Sequence, residues 1–142
     1  MEVTGITNGI VIDHIPAGQA MRLYRDLKLG ELDCRIAIIK NVPSDKLGKK
    51  DLLKIDDIIE INDEILGFID SRITVTKIKN SKSIEKYNPP LPEKISGILR
   101  CKNPRCITST EQELTHVFCL TNREKIIYRC IYCETKAEKQ MG

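Results

Sequence analysis

The sequence predicts an α+β protein in which an N-terminal ferredoxin-like βαββαβ domain is followed by a small all-β domain. Strand and helix patterns alternate over residues 1–88, prolines occupy positions 89, 90 and 92, and four of the six cysteines lie in paired spacing after residue 100. Prolines donate no backbone hydrogen bond and favour an extended chain, so residues 88–92 are predicted to form a linker. The two domains are therefore expected to span residues 1–88 and 93–142.

The first half of the N-terminal domain is predicted from the spacing of apolar residues. The apolar run at residues 10–12 indicates a strand, and residues 17–29 repeat apolar side chains at helical spacing after Pro16, which suits a helix start. The predicted apolar face of that helix consists of Ala17, Ala20, Met21, Tyr24 and Leu27. Residues 34–42 alternate and are rich in β-branched side chains, which indicates a second strand, and residues 43–48 contain the Pro, Ser, Asp and Gly typical of a loop.

The second half of this domain repeats the alternation of strand and helix. Residues 51–61 are apolar enough for one or two strands, and Asn62 is a suitable N-cap for a helix over residues 63–69. Residues 73–78 indicate a strand that turns at residues 80–81 and returns over residues 83–87. The resulting order β, α, β, β, α, β is that of a ferredoxin-like domain.

The C-terminal domain is predicted to be a zinc ribbon. Short strands are expected at residues 95–100, 115–120 and 125–130, around two cysteine pairs. The pairs have the spacing Cys-x4-Cys and Cys-x2-Cys, and they consist of Cys101, Cys106, Cys130 and Cys133. Two turns that each present two thiolates complete a tetrahedral zinc site with no open position, so the ion would be structural rather than hydrolytic. A domain of about 50 residues has a small core, and one bound zinc ion would stabilise it.

The sequence allows two other interpretations of the cysteines. The four could be unrelated buried residues, which the paired spacing argues against, and Cys119 could replace one of them as a ligand. Cys119 lies in an apolar run, so it is predicted to be a core residue, as is Cys34.

Composition limits the classes of function. The chain lacks an apolar stretch long enough to cross a membrane and an N-terminal export signal, so a cytoplasmic protein is expected. The net charge is only +3, and residues 101–142 carry seven basic against five acidic side chains. Zinc with four thiolates adds two negative charges, which makes this region neutral. A nucleic-acid-binding or transcription-associated zinc ribbon remains the alternative function, but it needs a basic face.

A candidate anion site lies in the first domain. Asp13 and His14 follow the strand at residues 10–12, and Lys50, Lys54 and Lys86 lie on or beside other predicted strands from which they could reach a triphosphate. The alternative is that the lysines form a solvated face. An enzyme that uses Asp13 and His14 is disfavoured, because neighbours on a regular strand point to opposite faces and share a pocket only at a bulge or a strand end.

Three separated motifs resemble the regulatory chain of aspartate carbamoyltransferase. They are the segment GIVIDHI at residues 9–15, the segment GKKDLLKI at residues 48–55, and Leu91-Pro92 followed by the cysteine pairs with their neighbours NPRCI and YCE. The resemblance implies a non-catalytic subunit that regulates the first committed step of pyrimidine biosynthesis. It also implies binding of CTP or ATP as effectors, a regulatory-chain homodimer, and docking of the zinc domain on the catalytic chain.

The resemblance also assigns residues to the nucleotide site by motif position. Those expected to contact the nucleotide through polar groups are Asp13, His14, Lys50, Lys54 and Lys86. Those expected to line the base and ribose pocket are Val3, Ile6, Val11, Leu52 and Ile78. Departures from the family's enteric members occur at Thr4, Thr76, Ser81, Ser83 and Asn88. These positions surround the base, so the sequence leaves open which nucleotide activates and which inhibits.

Overall fold

The computed structural model describes residues 6–137, which form two compact units divided between Leu91 and Pro92. Over residues 6–91 the elements are β1 (Gly9–Pro16), α1 (Ala20–Asp26), β2 (Ile36–Ser44), β3 (Gly48–Ile55), α2 (Asp63–Ile69), β4 (Thr74–Lys79) and β5 (Lys82–Tyr87). A turn of 3-10 helix (Leu29–Glu31) follows α1. None of the helices in the described part of the chain combines the length and apolar character needed to span a bilayer.

The strands of the first unit form one antiparallel sheet in the order β2-β3-β1-β4-β5. The first four strands have the ferredoxin-like arrangement, which confirms the predicted fold class. β5 extends the sheet through a hairpin whose turn residues, Asn80 and Ser81, have φ angles of 53° and 64°. Positive φ at both central positions is what a type I′ turn requires, and this turn suits the twist of a two-residue hairpin.

The sheet carries an apolar cluster on each face, because successive side chains of a strand point to opposite sides. On one face, Ile10 and Ile12 of β1 are fully buried. On the other face, Val11 packs with Ile6, Leu52 and Ile78 in a separate buried cluster.

The first helix is shorter than the sequence predicted. It spans Ala20–Asp26 instead of residues 17–29, and Pro16 ends β1, where it pairs with Lys50, instead of opening the helix. Lys28 has a φ of 55°, which ends the helical path before residue 29. Apolar residues continue at helical spacing over residues 17–29, so the predicted helix is too long at both ends. The pairing of Pro16 and the left-handed backbone of Lys28 limit the actual helix.

The buried face of α1 also differs from the prediction. Ala20 and Leu23 are fully buried, whereas Met21, predicted to face the core, is 52% exposed. The reason lies on β3, where the buried carboxylate of Asp51 accepts hydrogen bonds from the backbone N–H groups of Gly18 at 3.0 Å and Ala20 at 3.2 Å. A residue distant in sequence therefore sets the start and rotation of the helix.

The loop between β2 and β3 is shorter than predicted. The sequence predicts Pro43 and Ser44 in the loop, but they belong to β2 and pair with Lys49 and Gly48. Only residues 45–47 connect the two strands.

The second helix agrees with the prediction. α2 covers residues 63–69, and the side chain of Asn62 accepts a hydrogen bond from the Glu64 N–H at 3.0 Å, as expected for an N-cap. Gly67 packs against Pro90, and a Cβ atom at residue 67 would overlap the carbonyl oxygen of Pro90. Part of the proline segment is therefore packed within the first unit.

The second unit is a small antiparallel sheet with one short helical turn. Its elements are β6 (Lys94–Ser96), α3 (Ile107–Thr110), β7 (Val117–Asn122) and β8 (Ile127–Cys130), with strand order β6-β7-β8. Ile95, Phe118 and Tyr128 are buried between them, and the Tyr128 hydroxyl donates to the Pro92 carbonyl at 2.5 Å. The three predicted strands are present. The first is shorter than predicted because Gly97 has a φ of 75°, and α3 was not predicted.

Candidate metal centre and candidate anion site

The four paired cysteines converge in the second unit. All four Sγ atoms, those of Cys101, Cys106, Cys130 and Cys133, lie within 4.8 Å of one another. Sγ of Cys101 is 3.5 Å from that of Cys133, and Sγ of Cys106 is 3.7 Å from that of Cys130. Four thiolates around one zinc ion, each at about 2.3 Å, lie about 3.8 Å apart, so the cluster fits such an ion.

Local backbone turns bring the sulfurs of each pair together. In the first turn, Cys106 N–H donates to the Asn103 carbonyl at 3.1 Å, and the Asn103 side chain accepts from Arg105 N–H at 3.0 Å. In the second turn, Glu134 N–H donates to the Cys130 carbonyl at 2.8 Å. Each turn is therefore built by hydrogen bonds within its own segment, which explains why sequence spacing locates the cluster.

Two threonine hydroxyls contact sulfurs of the cluster. Oγ1 of Thr108 lies 3.1 Å from Sγ of Cys106, and Oγ1 of Thr135 lies 3.1 Å from Sγ of Cys133. Sequence analysis missed both residues, although each threonine stands two positions after the second cysteine of its pair.

The four cysteine thiols divide into two with lowered pKa values and two with raised pKa values. The Thr108 hydroxyl lowers the pKa of Cys106, and the Thr135 hydroxyl lowers the pKa of Cys133 to about 6. Burial raises the pKa of Cys101 to about 12 and also raises the pKa of Cys130. Because a metal binds the thiolate form, a cation would supply the stabilisation that the two buried thiolates otherwise need.

The other candidate ligands lie outside this cluster. Cys119 is half-buried on β7, and Cys34 is half-buried in the first unit, so the prediction that both are core residues is wrong. β-pairing sets the position of Cys119, opposite Lys94 of β6 and Arg129 of β8. Nδ1 of His116 accepts a hydrogen bond from the backbone N–H of Cys101 at 2.9 Å.

In the first unit, Asp13 and His14 form a β-bulge in β1. Ile12 pairs with Leu53 and Ile15 pairs with Asp51, so two residues of β1 stand opposite one residue of β3. His14 has a φ of 57°, the left-handed conformation expected at such a position. The bulge lets the two neighbouring side chains lie near the same group of cations, which a regular strand would not allow.

A buried lysine is paired with this bulge. Nζ of Lys50, a residue that is only 7% exposed, lies 2.9 Å from Oδ1 of Asp13. The same carboxylate oxygen accepts the His14 N–H at 2.6 Å. Burial raises the pKa of Asp13, but the bonds from Lys50 and His14 outweigh it, and the pKa is lowered from 3.8. Asp13 is therefore held as a carboxylate.

His14 is surrounded by positive charge. Burial lowers its pKa from 6.5, Asp13 opposes this shift, and the charges of Lys50, Lys46 and Lys86 lower the pKa further. Nδ1 of the ring lies 3.2 Å from Oγ1 of Thr74. The positive charge that three lysines contribute around His14 suits an anionic ligand.

Lys54 and Lys86 lie on one row across the sheet. Lys54 of β3 pairs with Val11 of β1, Val11 pairs with Thr76 of β4, and Thr76 pairs with Lys86 of β5. Directly paired residues point to the same face, so both lysines project on the side of the Val11 cluster. Three strand spacings separate their backbones by about 14 Å. The two ammonium groups can thus flank a ligand that covers the apolar cluster.

The structure brings most of the predicted nucleotide residues together. Asp13, His14 and Lys50 are in direct contact, Lys54 and Lys86 share a row, and the pocket residues Ile6, Val11, Leu52 and Ile78 form one cluster. Val3, also predicted to line the pocket, lies outside the described residues, as does Thr4.

Sequence analysis missed Thr74, a polar neighbour of the anion site, whereas Asn88, which it placed near the base, contacts Thr74. Thr74 contacts His14, and Asn88 Nδ2 donates to Thr74 Oγ1 at 3.3 Å and to the Ile73 carbonyl at 2.9 Å. Strand pairing creates these contacts, because Thr74 stands opposite Asp13. No local sequence signal indicates them.

A ferredoxin-like domain with a candidate anion site, followed by a domain with a four-cysteine cluster suited to a metal, defines the class of protein: a two-domain chain with one candidate ligand site and one candidate metal centre. Residues 1–89 match the family described as "Aspartate carbamoyltransferase regulatory chain, allosteric domain", and residues 93–141 match "Aspartate carbamoyltransferase regulatory chain, metal binding domain".

Individual relatives agree with the family matches, and each is named aspartate carbamoyltransferase regulatory chain. The chain is 47% identical to the Clostridium botulinum protein, covering 94% of this chain and 92% of the relative. It is 46% identical to the Clostridium tetani protein, covering 94% of each. It is 41% identical to the Bifidobacterium longum protein, covering 97% of this chain and 99% of the relative. The chain belongs to the family of aspartate carbamoyltransferase regulatory chains, which confirms the resemblance and makes it a non-catalytic regulatory subunit.

Proposed function

We propose that the chain regulates an aspartate carbamoyltransferase in the cytoplasm by binding nucleoside triphosphates of the CTP and ATP type in its first domain. Its second domain holds one zinc ion and docks on the catalytic chain, and the regulatory chains pair as homodimers. The regulated reaction is the first committed step of pyrimidine biosynthesis. The observation that carries the nucleotide assignment is the bulge of Asp13 and His14 beside three lysines and an apolar cluster.

The anion site supports a triphosphate by its charge and its shape. Lys50, Lys46 and Lys86 act together on His14, and Lys54 extends the positive charge along the same sheet face. The apolar cluster around Val11 supplies a surface on which a base and ribose can lie. Lysines beside an apolar surface suit a nucleotide, because the lysines can bind its phosphates and the surface can contact its base.

The cysteine cluster supports zinc over other common ions. Its ligands are four sulfurs at separations close to those of a tetrahedral thiolate site, whereas calcium and magnesium prefer oxygen ligands. The residues that would hold the ion are Cys101, Cys106, Cys130 and Cys133. The ion would stabilise the two turns and supply no reactive position.

Apolar side chains at those turns support docking on a protein partner. Ile107 follows Cys106 and is 49% exposed, while Ile131 and Tyr132, between Cys130 and Cys133, are 46% and 47% exposed. Tyrosine is enriched at the centre of protein interfaces, and the two exposed isoleucines add apolar surface beside it. Because the chain belongs to the family of aspartate carbamoyltransferase regulatory chains, the proposed partner is the catalytic chain of that enzyme.

The proposal is tested by mixing the zinc-loaded chain with the catalytic trimer of a relative such as the Clostridium botulinum enzyme. Sedimentation should reveal a larger assembly, and CTP or ATP should change the aspartate dependence of its activity. Tyr132→Ala should weaken assembly, whereas Tyr24→Ala, in the first unit, should not. If the wild-type chain assembles with no catalytic trimer, the docking assignment is contradicted. If it assembles but nucleotides do not change the activity, the effector assignment is contradicted.

A further inference from the structure

We infer that Thr108 and Thr135 are positioning residues of the metal centre, whose hydroxyls donate to the thiolates of Cys106 and Cys133 and slow the loss of the ion. This inference rests on the proposed zinc site. It goes beyond that site by assigning a role to two side chains that do not ligate the metal.

The two threonines occupy equivalent positions in turns of different length. The first cysteine pair has four intervening residues and the second has two, yet each threonine follows the second cysteine by two positions. In both cases the hydroxyl oxygen lies 3.1 Å from the sulfur. Thr108 is only 3% exposed, so solvent does not offer its hydroxyl an alternative partner. The repeated geometry indicates a shared role rather than two accidental contacts.

The chemistry of the site fixes the direction of these hydrogen bonds. In the structure the Cys133 thiol donates to Oγ1 of Thr135, whereas either atom of the Cys106–Thr108 contact can donate. A metal-bound cysteine is a thiolate and can only accept, so with zinc bound both threonine hydroxyls would rotate to donate. A zinc ion with four thiolates carries two net negative charges, and hydrogen bonds to charged acceptors are the stronger kind. The hydroxyls are therefore placed to stabilise the metal-bound form of the centre.

The same residues could instead act only by filling space, and the substitutions must separate the two roles. Valine keeps the shape of threonine without its hydroxyl, whereas serine keeps the hydroxyl and loses a methyl group. Thr110→Val is a matched control, because Thr110 lies in the same helical turn and its exposed hydroxyl donates to the Ile107 carbonyl at 3.2 Å.

The experiment measures zinc release from the full-length chain to the chelator 4-(2-pyridylazo)resorcinol at one fixed pH. Loss of an outer-shell partner typically costs roughly 10- to 100-fold in metal affinity, so Thr108→Val and Thr135→Val should each release zinc about tenfold faster or more. Thr108→Ser and Thr135→Ser should return the rate towards that of the wild type, and Thr110→Val should leave it unchanged.

The inference would be overturned by valine variants that release zinc at the wild-type rate, or by serine variants that release it as fast as the valine variants. A valine variant that is purified without zinc is refolded with excess zinc, and its affinity for zinc is then measured by competition with the same chelator. A valine variant that binds zinc as tightly as the wild type would also overturn the inference. The zinc content of the wild type, measured first, separates this failure from failure of the zinc site itself. A wild type that binds no zinc refutes both.

Discussion

Nζ of Lys50 lies 2.9 Å from Oδ1 of Asp13, and this ion pair joins the bulge in β1 to the neighbouring strand β3. Both residues belong to the proposed nucleotide site. A bound triphosphate would therefore interact with a lysine that is already paired with the Asp13 carboxylate. The first two predictions concern the charges of this pair and of the adjacent His14.

Lys50→Met should raise the pKa of Asp13, because burial of the carboxylate would then act without the lysine that opposes it. In the wild type the pKa is lowered, so the carboxylate contributes stability at neutral pH that is lost as the pH falls below about 4 towards the folded-state pKa. The variant should be less stable than the wild type at pH 7, and the difference should shrink on acidification. Urea unfolding at a series of pH values measures this difference, with Lys49→Met as the exposed neighbouring control. A difference that does not change with pH would argue against a charge effect.

Binding of a nucleoside triphosphate should make His14 take up a proton. Burial and the nearby lysines lower the pKa of free His14 below 6.5, and a bound polyanion would offset the lysine charges and raise it. Affinity should therefore increase as the pH falls through the window between the bound-state and free-state pKa values. Calorimetry in buffers of different ionisation enthalpy measures the proton uptake. His14→Asn is the control, since Asn tolerates the positive φ at this position. Equal proton uptake by the wild type and this variant would exclude His14 as the group that titrates.

Lys54→Ala and Lys86→Ala should each weaken triphosphate binding about tenfold or more, because a charge-assisted hydrogen bond contributes roughly 1.5 to 3 kcal/mol. Lys79→Ala serves as the matched control, since Lys79 is exposed and falls on the opposite face of β4 from Thr76. Calorimetry with CTP and ATP gives the affinities. If all three variants bind like the wild type, Lys54 and Lys86 belong to a solvated face.

Cys130→Ser should unfold the second unit and leave the first unit folded. The substitution removes one of four clustered ligands from a unit whose small core depends on the metal, whereas the first unit has its own sheet and two apolar clusters. Amide NMR spectra of the full chain report on both units, and elemental analysis gives the zinc content. Cys119→Ser, outside the cluster, should retain zinc and both sets of dispersed signals. Retention of a folded second unit without metal would refute the structural role of the ion.

Gly67→Ala should destabilise the first unit by about 1 to 3 kcal/mol, which is typical of overpacking. The new methyl group would overlap the carbonyl oxygen of Pro90, and backbone on both sides limits relaxation. Gly30→Ala is a suitable control, because its nearest neighbour would be the Tyr24 hydroxyl at 3.1 Å, at the end of a side chain that can move. Denaturant unfolding of the full chain compares the variants. Equal stability of the Gly67→Ala protein and the wild type would mean that Pro90 packs loosely on α2.

Features that depend on nearby residues were predictable from the sequence. Asn62 caps α2 through a hydrogen bond to Glu64, two positions away, and Asn80-Ser81 forms the hairpin turn between adjacent strands. The cysteine pairs lie in turns that are closed by hydrogen bonds within each segment, so their spacing alone indicated the cluster. Strand positions and charge indicated the polar residues of the anion site, whereas only the resemblance to a family selected the residues that line the base and ribose pocket.

Features that depend on the partner strand were decided only by the tertiary structure. The bulge at Asp13 and His14 exists because the pairing of β1 with β3 shifts by one residue, and Pro16 lies in a strand because Lys50 stands opposite it. Asp51 sets the start of α1 from 31 residues away. Apolar periodicity indicates which residues are buried, but register and long-range hydrogen bonds depend on backbone groups that meet only when distant strands pair.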